Sequence, residues 1–424
     1  YEKRGHPVAI HLGAGNFVYD CSTHVYGVCA VLDGNTHASE IRLFGQKGQT
    51  SIETWPPNRT FFSVGVNAPT MEVTGIIFKT PLVVNGGELK LKDCTFENTN
   101  HPAWTAESGR RLAHENTDHV DGGALHISNG LSMLTVDNTN FSHCSGRNGG
   151  AIYAEAGSAT FTNCIFRDCQ AAGRGGAVYV TETATDTARV VLRDGTRLHG
   201  NYAADPSGTG TRLESIHIEL TSSETRALVY RLPAPLGFFI DSNGAPELVL
   251  KPGIAYTDSN GELKPGVWYN DYPTQCAAGF FGKDTALSSQ SSSVCSGACP
   301  QGKYCIRPAT VNPAECDAGG FCPQGSPAPR LCPGGRYSNQ TGLVEADQCV
   351  ICNVGTSCTK GSTSESPCNP GRYSNMVEQP TCDECAAGKY QESTGETACV
   401  VCLKGGYCGA GAPLVKFCDE GTFG

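Results

Sequence analysis

The sequence has few of the residues that several protein classes need. Charged residues make up 17% of its 424 positions and aromatic residues 8%, which disfavours a coiled coil, because coiled coils are rich in Ala, Glu, Lys and Leu. No segment approaches the roughly 18 consecutive apolar residues of a membrane-spanning helix. With 31 Lys and Arg against 41 Asp and Glu, and no run of basic residues, the chain is also a poor candidate for binding nucleic acid.

Glycine and cysteine, in contrast, are abundant. The 52 Gly residues, with many Ser, Thr and Asn, favour a β protein with many turns. A set of 23 cysteines would be awkward in a reducing cytosol, whereas in a secreted protein it forms a disulfide framework. The chain starts at Tyr1 without an initiator Met or an apolar leader, so we expect that a signal peptide has been removed or that the chain is a piece of a longer protein. The composition predicts a secreted or cell-surface protein.

Cysteine and histidine are unevenly distributed along the chain. Six cysteines occur before residue 170, none between 170 and 275, and 17 from Cys276 onwards, while no histidine follows His217. This asymmetry predicts three regions, at 1–204, 205–272 and 273–424.

The first region contains a diverged repeat of 25 to 27 residues. Gly-Gly segments recur in DGGALHI from Asp121, NGGAIYA from Asn148 and RGGAVYV from Arg174. Repeats of this length, built of short β runs and Gly or Asn turns, are typical of stacked coils, each of which buries its apolar side chains against the next. The Gly-Gly pair suits a corner with positive φ or a close backbone approach.

Alternation along the strands predicts which side chains face the interior. If every second residue points inward, one inward row is Phe96, Phe141 and Phe166, and a second row, two residues earlier, is Cys94, Thr139 and Cys164.

These repeats resemble those of polymorphic outer-membrane proteins and of related right-handed parallel β-helices of the pectin-lyase-like class, over about residues 8–204. The resemblance implies an all-β fold that begins with a right-handed parallel β-helix. The segment 101–120 interrupts the repeat and is predicted to be a loop that leaves one coil. The pattern of residues 205–272 predicts strands separated by turns. These strands could form final coils, a small sheet domain or, as we favour, a cap that covers the open strand edges.

The last region is a ladder of Cys-x-x-Gly-x-Tyr segments, each followed by a polar loop and a Cys-x-x-Cys pair. It resembles ephrin-receptor-like and tumour-necrosis-factor-receptor-like cysteine-rich repeats, which implies an elongated region with little regular secondary structure. Pairing neighbours in order gives Cys276–Cys295, Cys299–Cys305, Cys316–Cys322, Cys332–Cys349, Cys352–Cys358, Cys368–Cys382, Cys385–Cys399 and Cys402–Cys408. Nested pairings remain open. Cys418 is left over, and either pairs with a cysteine further along a longer chain or is a reactive thiol.

Four cysteines of the first region are predicted to form two further bridges. Cys144 and Cys169 occupy equivalent places in successive coils, and the spacing of stacked strands, about 4.8 Å, lies within the Cα range of a disulfide. Cys21 and Cys29 could close a small loop. The remaining two, Cys94 and Cys164, have the Thr139 coil between them and are predicted to be buried thiols.

Three sequons predict N-linked glycans. Asn58, Asn140 and Asn339 each begin Asn-x-Ser/Thr without a central Pro. Asn140 is adjacent to the inward-facing Phe141, so the alternation turns it outward.

The sequence offers little support for metal or catalytic chemistry. The Cys-x-x-Cys pairs could bind zinc, but the last region has no His and the intervening cysteines would be unexplained. In HENTDH the two histidines, His114 and His119, are five residues apart rather than four, so they do not share a helix face. Polysaccharide-cleaving β-helices need clustered carboxylates, and the candidates Asp93, Asp137 and Asp168 stand where turn residues are expected. We predict no enzyme activity, no metal and no cofactor.

These features together predict an extracellular structural glycoprotein. The specific hypothesis is a subunit of a cell-surface or flagellar filament, such as a mastigoneme-like fibril, or of an adhesive surface layer. Its expected partners are copies of itself or other fibril subunits, covalent glycans and cell-surface carbohydrate. The alternatives are the ectodomain stalk of a cell-surface receptor and a polysaccharide-binding or polysaccharide-cleaving β-helix protein.

Overall fold

The structure, a computed structural model, describes residues 8–20, 28–32, 40–55, 60–99, 121–204, 211–219, 226–250, 256–257, 263–264 and 272–421, with only the backbone of residues 20, 28–32, 55, 256–257 and 263–264. The chain divides into two compact units, residues 1–274 with 285–292 and residues 275–284 with 293–424. The division at 274 lies two residues beyond the predicted boundary at 272.

The first unit is a stack of coils, and each complete coil contributes one strand to each of three sheets. Sheet 1 consists of Val8–His11, Glu40–Phe44, Thr70–Thr74, Glu88–Lys92, Met133–Asp137, Ser158–Thr162, Arg189–Arg193, Leu228–Arg231 and Glu247–Leu250. Sheet 2 consists of Gly15–Asp20, Thr50–Trp55, Ile76–Phe78, Thr95–Glu97, Asn140–Ser142, Ile165–Arg167 and Arg197–His199. Sheet 3 consists of Val28–Leu32, Thr60–Gly65, Leu82–Asn85, Leu125–Ile127, Ile152–Ala154, Val178–Val180 and Ile216–Ile218. Successive coils pair in parallel, for example Phe96 with Phe141 and Phe141 with Phe166.

Shorter strands complete this unit. A fourth sheet consists of Ser145–Gly146, Gln170–Ala171, Tyr202–Ala204 and Thr211–Leu213. The remaining strands of this part of the chain are Phe238–Phe239, Tyr256–Thr257, Leu263–Lys264 and Thr274–Gln275. A single turn of α-helix spans Leu287–Gln290.

The core of the coils includes the predicted inward row of aromatic rings. Phe96, Phe141 and Phe166 are fully buried. The ring centroids of Phe96 and Phe141 lie 5.0 Å apart, those of Phe141 and Phe166 lie 4.5 Å apart, and the planes are nearly parallel. Phe78 continues the row on one side, 5.0 Å from Phe96. The alternation in the sequence thus identified the interior correctly.

The Gly-Gly corners meet both requirements that the sequence suggested. Gly149 has φ of +65°, where a side chain is strained, and a Cβ there would lie 1.9 Å from the carbonyl oxygen of Ile152. Gly150 has an ordinary φ, but its Cβ would lie 2.0 Å from the carbonyl oxygen of Gly176 in the next coil. The first glycine is needed for the turn and the second for the contact between coils.

The coils continue past residue 204. Ile216–Ile218 and Leu228–Arg231 extend sheets 3 and 1 in parallel register. Glu247–Leu250 then pairs antiparallel with Leu228–Arg231 and ends sheet 1. The segment 205–272 therefore supplies first a final coil and then a cap. The repeat fades from the sequence here because Leu213–Glu214 stands where the earlier coils have the Gly-Gly corner.

The second unit is a series of eight two-stranded antiparallel hairpins, numbered 1 to 8 in chain order. They are Phe280–Phe281 with Gly297–Ala298, Lys303–Tyr304 with Ala314–Glu315, Gly320–Phe321 with Arg330–Leu331, Arg336–Tyr337 with Val350–Ile351, Thr356–Ser357 with Ser366–Pro367, Arg372–Tyr373 with Asp383–Glu384, Lys389–Tyr390 with Val400–Val401, and Gly406–Tyr407 with Lys416–Phe417. A 3₁₀ turn spans Ala346–Gln348. In the part of the chain that the structure describes, no helix is long and apolar enough to cross a membrane.

Candidate functional site

A row of polar aromatic side chains lies along the outer face of sheet 3. It consists of His126, Tyr153, Tyr179 and His217, one from each of four successive coils. The rings of Tyr153 and Tyr179 are stacked with centroids 5.4 Å apart, and those of Tyr179 and His217 are stacked at 5.5 Å. His126 meets Tyr153 edge-on at 5.0 Å. We refer to these four residues as the polar ladder.

Carboxylates occupy the position directly after two of these strands. Nε2 of His126 lies 3.3 Å from Oε1 of Glu155, and the Tyr179 hydroxyl donates a hydrogen bond of 2.5 Å to Oε2 of Glu219. Burial, followed by the charge of Glu155, raises the pKa of Tyr153 to about 12. Burial and the Glu219 contact likewise raise the pKa of Tyr179. Both phenols are therefore protonated hydrogen-bond donors at neutral pH.

A fully buried carboxylate lies at the last rung of the polar ladder. Glu214 accepts a hydrogen bond of 2.8 Å from the backbone N–H of Gly175 and forms an ion pair with Arg212. Nδ1 of His217 lies 3.2 Å from Oε1 of Glu214, although the two atoms are not aligned as a hydrogen bond. Burial alone would raise the pKa of Glu214, but His217, the Gly175 N–H and Arg212 together hold it below its ordinary value. Glu214 thus fixes the corner that replaces Gly-Gly.

The geometry limits what the polar ladder can do chemically. Tyr179 and His217 are buried, and Tyr153 contacts Tyr179 and His126, so the polar ladder presents to solvent only the edges and polar atoms of His126 and Tyr153. These edges can hydrogen-bond to a polar ligand, but they offer no platform on which a sugar ring could stack. Within the described ranges, no group of three His, Cys, Asp or Glu side chains could hold a metal ion.

The three candidate catalytic aspartates lie in turns and strand ends. Asp93 and Asp168 have positive φ (54° and 55°), which places them in left-handed turns between strands. Asp93 accepts hydrogen bonds from Lys47 at 2.8 Å and Asn138 at 2.5 Å, and these contacts lower its pKa. Asp137 is the last residue of its strand in sheet 1. The sequence therefore placed them correctly as turn and strand-end residues.

Two of the three sequons lie in the described part of the chain. Asn339 is exposed, next to the hairpin strand Arg336–Tyr337. Asn140 is half-buried on the outer face of sheet 2, paired with Thr95 and Ile165, and its amide oxygen is buried without a hydrogen-bond partner. Asn58 lies outside the described residues, as do the segment 101–120 and the two histidines of HENTDH.

The predicted bridge between Cys144 and Cys169 is absent, and this prediction is wrong. Both residues are free, fully buried thiols. The Sγ atom of Cys144 contacts the Phe96 carbonyl oxygen at 3.7 Å, and that of Cys169 contacts the Phe141 carbonyl oxygen at 3.7 Å. The two thiols belong to strands that are stacked about 4.8 Å apart, and each contacts a backbone carbonyl oxygen of the coil before it, whereas a disulfide needs sulfur atoms about 2.05 Å apart.

The other thiols of the β-helix are also interior side chains. Cys94 and Cys164 are free and buried, as predicted. Burial raises the pKa of Cys94 to about 11 and that of Cys164 to about 12, so neither forms a nucleophilic thiolate at neutral pH. Burial also raises the pKa of Cys169. The pairing of Cys21 with Cys29 lies outside the described side chains.

The cysteines of the second unit are bridged in sequence order. The disulfides are Cys276–Cys295, Cys299–Cys305, Cys316–Cys322, Cys332–Cys349, Cys352–Cys358, Cys368–Cys382, Cys385–Cys399 and Cys402–Cys408. These are the same pairs that the sequence predicted. Cys418 is unpaired and partly exposed.

The polar ladder was not predicted, although its signal is present in the sequence. The third residue of ALHI, AIYA and AVYV is His126, Tyr153 or Tyr179, and each stands between two inward-facing residues. An outward aromatic side chain at the same place in three repeats indicates an inter-coil stack. The contact with Glu214 could not be read from the repeat, because this residue lies 39 positions after Gly175.

Comparison with known proteins agrees with the geometry of the first unit. A family model described as a right-handed β-helix region matches residues 81–222. The matched segment includes Ile216–Ile218, which belongs to the final coil beyond residue 204. No curated protein matches the chain. The protein is thus an all-β chain in which a right-handed parallel β-helix is followed by a disulfide-rich region with little regular secondary structure.

Proposed function

We propose that the protein is a non-enzymatic extracellular structural glycoprotein. In the specific form of this proposal it is a subunit of a cell-surface or flagellar filament, such as a mastigoneme-like fibril, or of an adhesive surface layer. Its partners are copies of itself or other fibril subunits, and it carries covalent glycans.

One observation carries the proposal: the repeats of both units are held in place by contacts with their neighbours. In the β-helix these contacts are the buried Phe row and the polar ladder. In the second unit each disulfide closes one hairpin repeat, and backbone hydrogen bonds join each hairpin to the next. Repeats held in this way form a stiff scaffold, because each repeat is fixed by its neighbours.

The disulfides support an extracellular location. Eight bridges within residues 276–408 are typical of a protein that folds in an oxidising compartment. The second unit has few large buried aliphatic side chains, Leu343 being one, so cross-links contribute much of its stability, at about 2–4 kcal/mol each.

The carboxylates support a non-enzymatic role. A glycosidase uses two carboxylates, one of which has a raised pKa and acts as an acid. Glu214 is instead held below its ordinary pKa, while Glu155 and Glu219 contact His126 and Tyr179. The three carboxylates thus form contacts that hold neighbouring coils together.

Electron microscopy of the native material tests the proposal. We expect regular filaments or an ordered surface layer, with the protein located in them by a specific antibody. A native protein that is present only as dispersed single molecules would refute the assembly role and would favour a receptor stalk.

A second candidate function is polysaccharide binding at the outer face of sheet 3. It is favoured by the hydroxyl group of Tyr153 and the imidazole of His126, which point outward beside Glu155. Affinity electrophoresis in gels that contain neutral cell-wall polysaccharides would test it. Retardation that Tyr153→Phe reduces, and that Tyr407→Phe at an exposed position of the second unit does not, would support binding at this face.

A further inference from the structure

One buried side chain from a segment between two bridged cysteines completes the end of the β-helix. Gln290, which ends the helical turn Leu287–Gln290, is 1% exposed. Its side-chain amide donates a hydrogen bond of 2.7 Å to the Ala234 carbonyl oxygen and accepts one of 2.8 Å from the Ala234 N–H. Its backbone carbonyl oxygen accepts a third, of 2.9 Å, from the N–H of Ile240. A single residue thus holds three backbone groups of segment 234–240.

These hydrogen bonds matter because the groups that they satisfy are buried. Ala234 is 3% exposed and Ile240 is fully buried. In the described part of the chain, neither backbone group of Ala234 has a partner other than Gln290. Buried backbone groups are almost always paired, since an unpaired group keeps the full cost of losing its contact with water. Segment 234–240 must therefore open to water if Gln290 leaves.

A second anchor lies at the start of the chain segment that carries Gln290. Tyr272 and Leu198 exchange backbone hydrogen bonds of 2.8 and 2.6 Å, which attach this segment to the last strand of sheet 2, Arg197–His199. Both anchors, Tyr272 and Gln290, belong to the first unit. We refer to residues 272–295 as the strap.

A disulfide ties the two anchors of the strap together. Cys276 follows Tyr272 by four residues, Cys295 follows Gln290 by five, and the two cysteines are bridged. Along the chain alone the anchors are 18 residues apart, whereas the path through the bridge has half that number of residues. Halving the length of a flexible connection raises the effective concentration of its ends by about threefold. Once Tyr272 is in place, the bridge therefore favours the docking of Gln290.

We propose that the strap closes the end of the β-helix in a step that depends on oxidation. The thiols of Cys276 and Cys295 form the S–S bond by passing two electrons and two protons to a disulfide oxidant, which becomes a dithiol. The bridge then holds Gln290 against segment 234–240, which closes. Before oxidation the coils are folded but this segment is open to water more often. The inference goes beyond the proposed assembly role and holds whether or not the protein forms filaments.

Hydrogen exchange at single amides of the intact protein tests the inference, with the amides of Ala234 and Ile240 as reporters. Gln290→Ala keeps every cysteine but removes both side-chain hydrogen bonds, and should accelerate exchange at the reporters by about tenfold or more. Ser288→Ala is the matched control, because Ser288 is an exposed residue of the same helical turn. It should leave both reporters at their wild-type rates.

Removing the bridge tests the dependence on oxidation. Cys276→Ser combined with Cys295→Ser should accelerate exchange at both reporters by about threefold or more, while the Phe141 amide in the core of the coils keeps its rate. The control combines Cys352→Ser with Cys358→Ser, which removes another bridge between buried cysteines. This control should leave both reporters unchanged.

Each of three results would overturn the inference. The first is wild-type exchange at the reporters in Gln290→Ala, which would mean that Gln290 does not hold the segment. The second is equal exchange at the reporters in the two cysteine variants. The third is an acceleration at Phe141 equal to that at the reporters, since the bridge would then stabilise the whole stack of coils rather than close its end.

Discussion

The buried aromatic row of sheet 2 should be the most sensitive part of the β-helix. Phe141 is fully buried and stacks against Phe96 and Phe166, with ring centroids at 5.0 and 4.5 Å. Replacing it with Ala removes the apolar surface and leaves a cavity between three coils, so we expect the free energy of unfolding to fall by about 3–5 kcal/mol. Phe141→Leu keeps most of the apolar volume but loses both ring contacts, at about 0.5–1.5 kcal/mol each.

Urea unfolding followed by circular dichroism measures these changes. Met133→Ala is the matched control, because Met133 lies in the same coil but is 57% exposed on the outer face of sheet 1, where substitutions usually change stability by less than about 0.5 kcal/mol. The reasoning would be refuted if Phe141→Ala cost less than about 1 kcal/mol, or no more than the control.

Three further predictions concern the loop contacts of the hairpins in the second unit, the buried carboxylate Glu214 and the sequons. Gly355→Ala should weaken hydrogen-exchange protection in the second unit by about 1–3 kcal/mol more than Gly325→Ala. Both glycines are left-handed, but a Cβ on Gly355 would lie 2.1 Å from the Gly395 carbonyl oxygen, whereas one on Gly325 would lie 3.8 Å from its nearest neighbour; equal effects would contradict this. The lowered pKa of Glu214 stabilises the fold above the unfolded value of about 4.3, and this stability is lost as the pH falls through the folded pKa. The unfolding free energy of Glu214→Gln should therefore depend less on pH below about 4.3, and an unchanged slope would refute the assignment. Asn339→Gln and Asn140→Gln should each remove the mass of one glycan that peptide N-glycosidase releases; unchanged masses would mean unmodified sequons.

Most of the fold could be predicted from the sequence because each coil needs the same residues, a glycine corner and inward-facing apolar side chains. The Gly-Gly corners and the Phe row recur in register, and the pattern identified both the interior and the close approach at Gly150. The order of the cysteines likewise matches the bridges of the second unit. Such features depend on neighbours that are close in sequence.

The features that the sequence did not reveal depend on geometry between coils. Equivalent positions suggested a bridge between Cys144 and Cys169, but both remain thiols that contact carbonyl oxygens of the preceding coil. The final coil remained one of the alternatives for residues 205–272, and not the favoured one, because Glu214 takes over the role of a glycine corner through side-chain contacts. The polar ladder was overlooked because each of its residues looks like an ordinary outward-facing strand position.

Mapping the state of every cysteine in the native protein tests the central claim most directly. The denatured protein is alkylated without reductant, then reduced and alkylated with a second reagent, and the peptides are identified by mass spectrometry. We predict that Cys94, Cys144, Cys164 and Cys169 carry the first label, and that the 16 bridged cysteines between Cys276 and Cys408 carry the second. First label throughout the second unit would contradict an extracellular disulfide ladder, and a linked Cys144–Cys169 peptide would contradict the free thiols in the interior of the β-helix.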